Sequence, residues 1–417
     1  MEMETAKKKI VIAGAGFGGI TAALFLNKAF SRNPKLRQEY QIIIVNNHHS
    51  HLYTPAIYEI AAIPQGRHTL DYVKSSITIP LADIFHGTLV EWRERRIVAI
   101  DRANKELRFD NDETLGYEYL VLALGAETSY FNIPGAKEHS YPLKTFADAV
   151  KLRDRIQDVI EANEAVARIV VVGGGASGVE VAAEFENFIR VLHKKDHAPS
   201  ACKIEVTLAE AGPEILAGFD KWVIDCARQR LGCLNVAIKT NTAITAVEKD
   251  QVMLKGSAYL PYTVLVWAGG VQAASVLKTL GMELTPKQSV PVNSYLEVEP
   301  KLFAIGDNAA FINPSTSRPL PWNALVAESQ AKIAASNILA DIKGKTKRLF
   351  YPLKKYPFIL AAGRKYAIAD LVFIHEAGFT AWILKLLVEL KYLLFILPFF
   401  AALSIWWKYI SVARSND

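Results

Sequence analysis

The sequence predicts an α/β fold: two Rossmann-like domains on one plan, followed by an apolar, helical C-terminal region. Three observations carry this. A strand–glycine–helix–strand pattern at residues 10–45 returns at residues 169–208. The chain has 417 residues, more than one domain usually needs, and 51% of them are hydrophobic against 22% charged. The mean hydropathy of +0.14 is high for a soluble enzyme, and the surplus lies near the C-terminus. This composition excludes a disordered or collagenous chain. Three cysteines exclude a disulfide scaffold. A net charge of +6 without a dense basic block makes nucleic acid a poor partner.

The start, Met1 to Lys9, is polar and basic, and glycine at position 14 follows too soon for a secretory h-region. No signal peptide is expected. Ile10–Ala13 reads as a strand. Ile20, Leu24, Leu26 and Phe30 give the next helix its apolar face, and Ile42–Val45 closes a parallel βαβ unit. Ile97–Ile100 and Lys105–Phe109 flank a turn, and Tyr119–Leu124 runs into Gly125. The second unit is Ile169–Val172, a helix carrying Val179, Val181 and Phe185, and Ile204–Leu208. Ala243–Leu254 reads as a hairpin, and Thr263–Trp267 ends at Ala268-Gly269-Gly270. Leu302–Ile305 ends at Gly306-Asp307, and a long helix follows from Asn323 to Ile342. Lysines at 343–347 mark a loop. The expected domains are 1–145 with 270–345, then 146–269, then a C-terminal region at 346–417.

No residue from Tyr392 to Trp407 is charged. As a helix this run reaches roughly 24 Å, short of the ~30 Å hydrocarbon core, and Pro398 interrupts it. Before it, Trp382, Ile383, Leu386, Leu387, Leu390, Leu393 and Leu394 recur at helical spacing. Lys385, Glu389 and Lys391 fall elsewhere on the turn pattern. Trp406, Trp407 and Tyr409 beside Lys408 have the character of interfacial anchors. A helix pair lying in the membrane plane is expected; a core or dimer-interface hairpin is the alternative.

Gly14-x-Gly16-x-x-Gly19 follows a strand and opens a helix. The first glycine permits a tight turn, the second lets backbone approach a pyrophosphate, and the third lets helix pack on strand. The helix N-terminus supplies N–H donors and a positive dipole. The place of the ribose-binding acid holds Asn46, an uncharged substitute. Gly173-x-Gly175-x-x-Gly178 repeats the motif, and here Glu210 ends the second strand. A carboxylate there accepts both ribose hydroxyls and repels a 2′-phosphate, so NADH is favoured over NADPH. Two dinucleotide sites in one chain point to electron transfer between a resident flavin and a diffusing nicotinamide. Ala123-Leu124-Gly125-Ala126 and Ala304-Ile305-Gly306-Asp307 are further strand-end motifs. Asp307 is placed to accept from a ribityl hydroxyl, and the Asn323 helix to aim its N-terminus at the flavin N1/O2 edge.

With these motifs the chain resembles the two-dinucleotide-domain flavoproteins. More specific stretches resemble type II NADH dehydrogenases, the single-subunit NADH:quinone oxidoreductases: His51–Pro55 with Tyr58-Glu59, Gly173–Glu180, Glu210–Pro213, Trp267–Gly270, Tyr366–Leu371 and the Ala381-Trp382 region. The resemblance implies FAD held noncovalently by Gly14, Gly16, Phe17, Gly18, Gly19, Asn46, Thr54, Pro55, Ala123, Gly125, Gly306 and Asp307. It implies NADH held by Gly173, Gly175, Gly178, Glu180, Glu210, Ala268 and Gly269. Glu180 matches the family's glutamate near nicotinamide and flavin, which orients NADH or relays protons. The implied reaction is non-proton-pumping: hydride passes to flavin N5 and two electrons to a membrane quinone. The implied setting is a homodimer held peripherally on the cytoplasmic face of the cell membrane. The chain departs from the family at the quinone side. Leu325 and Ser329 stand where two glutamines are usual, and Gln330 falls one residue later.

Another electron acceptor, or a slow flavin redox sensor, are the rival readings. A disulfide reductase or sulfide:quinone oxidoreductase needs cysteines beside the flavin, whereas Cys202, Cys226 and Cys233 all fall in the second domain. Cys226 and Cys233, seven apart, read as same-face core residues. His48, His49 and His51 lack carboxylate or cysteine partners at ligand spacing, and Asp110–Asp112 matches no EF-hand, so no metal is expected.

Overall fold

The computed structural model describes residues 6–162, 166–195 and 203–415. The chain divides into two compact units. The first comprises Met1–His51, Ile79–Glu127 and Val271–Lys355; the second comprises Leu52–Thr78, Thr128–Gly270 and Tyr356–Asp417. Cys202 lies outside the described residues.

In the first unit, Lys8–Ala13 is flanked in parallel by Tyr40–Asn46 and Tyr119–Leu122, with Ile10 opposite both Ile42 and Tyr119. Val90–Glu94 and Leu302–Ala304 extend the sheet on its two sides, and antiparallel Glu297–Glu299 ends it. Ile10–Ala13 and Ile42–Val45 are buried throughout, as apolar strands covered on both faces must be. The Phe17–Ser31 helix packs on the Ala324–Ile342 helix. Gly18 permits this approach: a Cβ there would meet Ile305 Cδ1 at 3.1 Å and the Ala327 carbonyl at 3.4 Å.

The second unit repeats the plan. Val166–Val172 is flanked in parallel by Lys203–Ala209 and Val264–Trp267, with Tyr141–Pro142 and Ala237–Lys239 outside them. The Phe146–Glu161 helix starts with a capping box between Thr145 and Asp148. The expected hairpin gains a third strand, Tyr259–Pro261.

The C-terminal region shares the second unit's core. Phe358–Ala361, Ala367–Asp370 and His375–Gly378 form an antiparallel sheet, and the helices Phe379–Ile396 and Phe399–Ser415 follow, broken at Pro398. Val181, Phe185, Leu360, Ile368, Trp382 and Tyr409 belong to one buried cluster. The Arg230 guanidinium donates to the carbonyls of Ala362 (2.9 Å) and Gly363 (2.8 Å) and lies 4.4 Å over the Tyr366 ring. Among the described residues, no helix is long and apolar enough to cross a membrane.

The helix pair corrects the expected amphipathic pattern. Lys385 and Glu389 point inward and are buried, whereas Ile383, Leu387, Val388 and Leu394 are exposed. The inversion is tolerated because the buried charges pair with each other and with Glu59. Of the three expected interfacial aromatics, Trp407 is exposed, Tyr409 is buried, and Trp406 donates its ring N–H to Leu386 O at 2.9 Å. Cys233 is a further correction. It is exposed at the end of the Lys221–Cys233 helix, because the helix stops there before its face is covered.

Candidate active site

Each unit carries the same backbone cradle, residue for residue. Gly14 N–H donates to Val45 O at 2.7 Å, and Gly173 N–H to Ala209 O at 2.8 Å. Gly14 (φ +105°) and Gly173 (φ +101°) occupy left-handed backbone, where a side chain would also strike Ala123 or Gly269. A Cβ on Gly19 would lie 1.9 Å from Gly14 O, and one on Gly178 1.9 Å from Gly173 O. Gly16 and Gly175 differ: an added Cβ meets nothing within 4 Å. These two glycines leave open space in front of a helix start. The helix after Gly16 has no side-chain cap and no acid in its first turn, so its first N–H groups suit an anionic oxygen. A pyrophosphate fits both cradles.

The strand-end residues brace the cradles. Asn46 Oδ1 accepts from Ala15 N–H at 3.1 Å, while its amide donates to His48 O at 2.9 Å. Glu210 takes the equivalent place with both oxygens, accepting from Gly174 N–H at 2.6 Å and Gly212 N–H at 2.7 Å. His51 lies under the first loop, its Nδ1–H donating to Ala15 O at 3.0 Å and its ring edge-on to Phe17 at 5.1 Å. Burial pushes its pKa down to about 4, so the imidazole is neutral. His48 and His49 are exposed.

Two buried amides of the first unit brace its strand ends, and the sequence singles out only the second of them. Asn308 is fully buried; its Oδ1 accepts from Leu124 N–H at 2.6 Å and its amide donates to Gly125 O at 2.8 Å. It joins the Ala123–Gly125 strand end to the Gly306–Asn308 turn, which contains Asp307. Gln330 is also buried, and its Oε1 accepts from Gly306 N–H at 2.7 Å. That bond makes Gln330 a brace for the Gly306 turn. Leu325 is exposed and Ser329 half-buried on the same helix. Asn308→Ala should lower stability by about 2 kcal/mol, from two lost hydrogen bonds, and release FAD earlier in a thermal ramp. Flavin fluorescence would read this; release at the parent's temperature would contradict the brace.

In the second unit, Thr54 and Pro55 form the 3-10 turn Thr54–Ala56, and Ala268 and Gly269 follow the Val264–Trp267 strand, with Ala268 N–H donating to Val172 O at 2.9 Å. This unit also buries a charge cluster. Lys385 Nζ donates to Glu389 Oε1 at 2.7 Å, to Glu59 Oε1 at 3.2 Å and to Tyr409 OH. Tyr409 OH donates to Glu59 Oε1, and Tyr58 OH reaches the same oxygen at 2.9 Å. Lys385 stays charged because Glu389 and Glu59 outweigh the burial that would lower its pKa. Burial pushes the Glu389 carboxyl up to about 7, against the pull of Lys385. Glu180 accepts from Ala361 N–H at 3.4 Å. Burial raises it to about 8, with Lys385 opposing and Glu59 and Glu389 reinforcing. Burial thus shifts the Glu180 and Glu389 carboxyls towards holding protons near neutral pH. The sequence marks Glu180 as a candidate site residue; Lys385, Glu389, Glu59 and Tyr409 come together only in the folded chain.

Among the described residues, Asp220, Asp370 and His375 bring potential metal-ligand atoms within 4.8 Å of one another. Asp220 caps the Lys221–Cys233 helix, and His375 stacks on Trp222 and meets Asp370 at 3.4 Å.

Known proteins are similar to this chain. Demethylphylloquinone reductase NdbB of Synechocystis is 28% identical, over 93% of both chains. A type II NADH:quinone oxidoreductase of Staphylococcus aureus is 27% identical, over 82% of this chain and 85% of that one. The structure of NDH2 from Plasmodium falciparum in complex with NADH matches with a TM-score of 0.81 and 19% identity, covering 97% of this chain and 98% of that one. The resemblance to type II NADH dehydrogenases is thereby upheld, and the last match shows the shared fold. Residues 8–331 match the model of the pyridine nucleotide-disulphide oxidoreductases, and the chain belongs to that family.

Proposed function

We propose that the protein is an NADH:quinone oxidoreductase that uses FAD, with FAD on the first cradle and NADH on the second. The observation that carries this is the duplicated cradle with unlike strand ends, Asn46 in one and the Glu210 carboxylate in the other. Quinone as acceptor rests on the names of the relatives. FAD, when bound, supplies hydride acceptance from NADH and two-electron delivery to the acceptor. The chain positions the dinucleotides and manages charge. Glu210 holds its loop in place and presents negative charge where a 2′-phosphate would sit. Glu180 and Glu389 can hold a proton at a carboxyl oxygen near neutral pH, and quinol formation takes one proton beyond the one that NADH delivers with its hydride. Lys385 keeps the neighbouring negative charge tolerable.

The exposed apolar residues of the helix pair, among them Leu387, Val388, Phe399, Phe400 and Trp407, support peripheral docking on a membrane. The resemblance to type II NADH dehydrogenases supports a homodimer, the cytoplasmic face and the absence of proton pumping. A second reading, with a non-quinone acceptor, is favoured by the exposed Leu325 and the committed Gln330.

Glu210→Ala tests the nucleotide assignment. The KM for NADH should rise about tenfold while the preference over NADPH falls towards unity. An unchanged preference in steady-state assays would remove Glu210 from recognition.

A further inference from the structure

The first unit holds a groove lined by none of the cradle residues. Its volume is about 600 Å³, within the range of small-molecule sites. Two helices supply its walls at identical spacing: Phe25, Lys28, Ala29 and Arg32 from one, and Ser336, Leu339, Ala340 and Lys343 from the other. Both helices end here, and the loop carrying Lys345, Thr346 and Arg348 closes the groove. The floor is apolar, with the Phe25 ring partly exposed. The rim is cationic.

Five cations, Lys28, Arg32, Lys343, Lys345 and Arg348, line this one space. Among the described residues none of them is in an ion pair. Helix ends account for part of this charge: two C-termini offer about one negative unit between them, leaving about four positive units unanswered. The loop is also held in place. Asn337, fully buried, accepts from Arg348 N–H at 2.7 Å and donates to Arg348 O at 2.9 Å. Lys347 alone in the loop turns to carboxylates, Glu297 at 2.6 Å and Asp341 at 3.4 Å. Its neighbours Lys345 and Arg348 face the groove with no acid supplied. Fixed backbone, surplus positive charge and an apolar floor form a receptor for a compact anion with an apolar body. Two arginine forks favour phosphate oxygens.

We propose that this groove binds a small organic phosphate, its apolar or flat part on Phe25 and Leu339 and its phosphates among the five cations. The source is a soluble nucleoside phosphate or the headgroup end of an anionic lipid. Calorimetric titration of the FAD-loaded protein tests this, with excess NAD+ present so that the second cradle does not take the probe. The probes are ATP, monomeric dihexanoyl phosphatidate and inorganic phosphate. ATP or the phosphatidate should bind at least about tenfold more tightly than inorganic phosphate. Binding of ATP alone identifies the soluble source, and binding of the phosphatidate alone the lipid. The exposed double reversal Lys345→Glu/Arg348→Glu should weaken binding at least about tenfold. Ala340→Trp, which fills the groove without changing charge, should do the same. Flavin reduction by NADH should be unaffected in both variants. The proposal is overturned if neither organic phosphate binds, if inorganic phosphate binds equally well, or if either variant binds like the parent.

Discussion

Lys385→Met should cost about 3–5 kcal/mol of stability, because it leaves Glu59 and Glu389 buried without their cation. The loss should depend on pH in a definite sense. The Glu389 and Glu180 carboxyls lie at about 7 and about 8, against an ordinary value of 4.5. The folded protein therefore binds these protons more tightly than the unfolded chain. Their contribution is complete below about pH 4.5 and is lost as pH rises through 7 and 8. Removing Lys385 raises both carboxyls further, so the variant should be hurt less at pH 5.5 than at pH 8. Adding Glu59→Gln and Glu389→Gln to Lys385→Met removes every charge from the triad and should recover much of the loss. Urea unfolding at the two pH values measures this. A loss below about 1 kcal/mol at both would place these side chains in water.

Two alanine substitutions three residues apart should behave oppositely. Gly178→Ala puts a methyl 1.9 Å from Gly173 O, a clash with backbone. It should destabilise the second unit by about 4 kcal/mol or more and abolish NADH binding with it. Gly175→Ala meets no protein atom within 4 Å. Its melting temperature should stay near the parent's, while NADH affinity falls at least about tenfold, because the new methyl stands where the pyrophosphate approaches. Gly16→Ala should separate fold from FAD retention in the same way. Thermal melts paired with NADH titration decide it; a Gly175→Ala protein that binds NADH like the parent would contradict the cradle's orientation.

The cradles were legible because each glycine answers a steric demand within its own βαβ unit. Gly14, Gly19, Gly173 and Gly178 are needed by nearby backbone, and their spacing records it. Glu210 was legible for the same reason, one strand away from its loop. The charge cluster was not. Lys385 and Glu389 look like the solvent side of an amphipathic helix, since helical periodicity weighs each side chain alone. Their burial depends on Glu59, 326 residues from Lys385 in the chain. Asn308 escaped because a buried asparagine after Gly306-Asp307 looks like any turn residue until its two partners, 184 and 183 residues away, are known. Gln330 stands one residue past a usual glutamine position, and only the fold shows that its Oε1 accepts from Gly306 N–H.

Anaerobic stopped-flow absorbance of the FAD-loaded protein tests the central claim most directly. The protein is mixed first with NADH or NADPH, then with a short-chain quinone. NADH should bleach the flavin faster than NADPH does, and quinone should restore its colour rapidly enough to support turnover. Flavin that NADH bleaches but quinone leaves reduced would contradict quinone as the acceptor, and flavin that NADH does not bleach would contradict the second cradle's assignment.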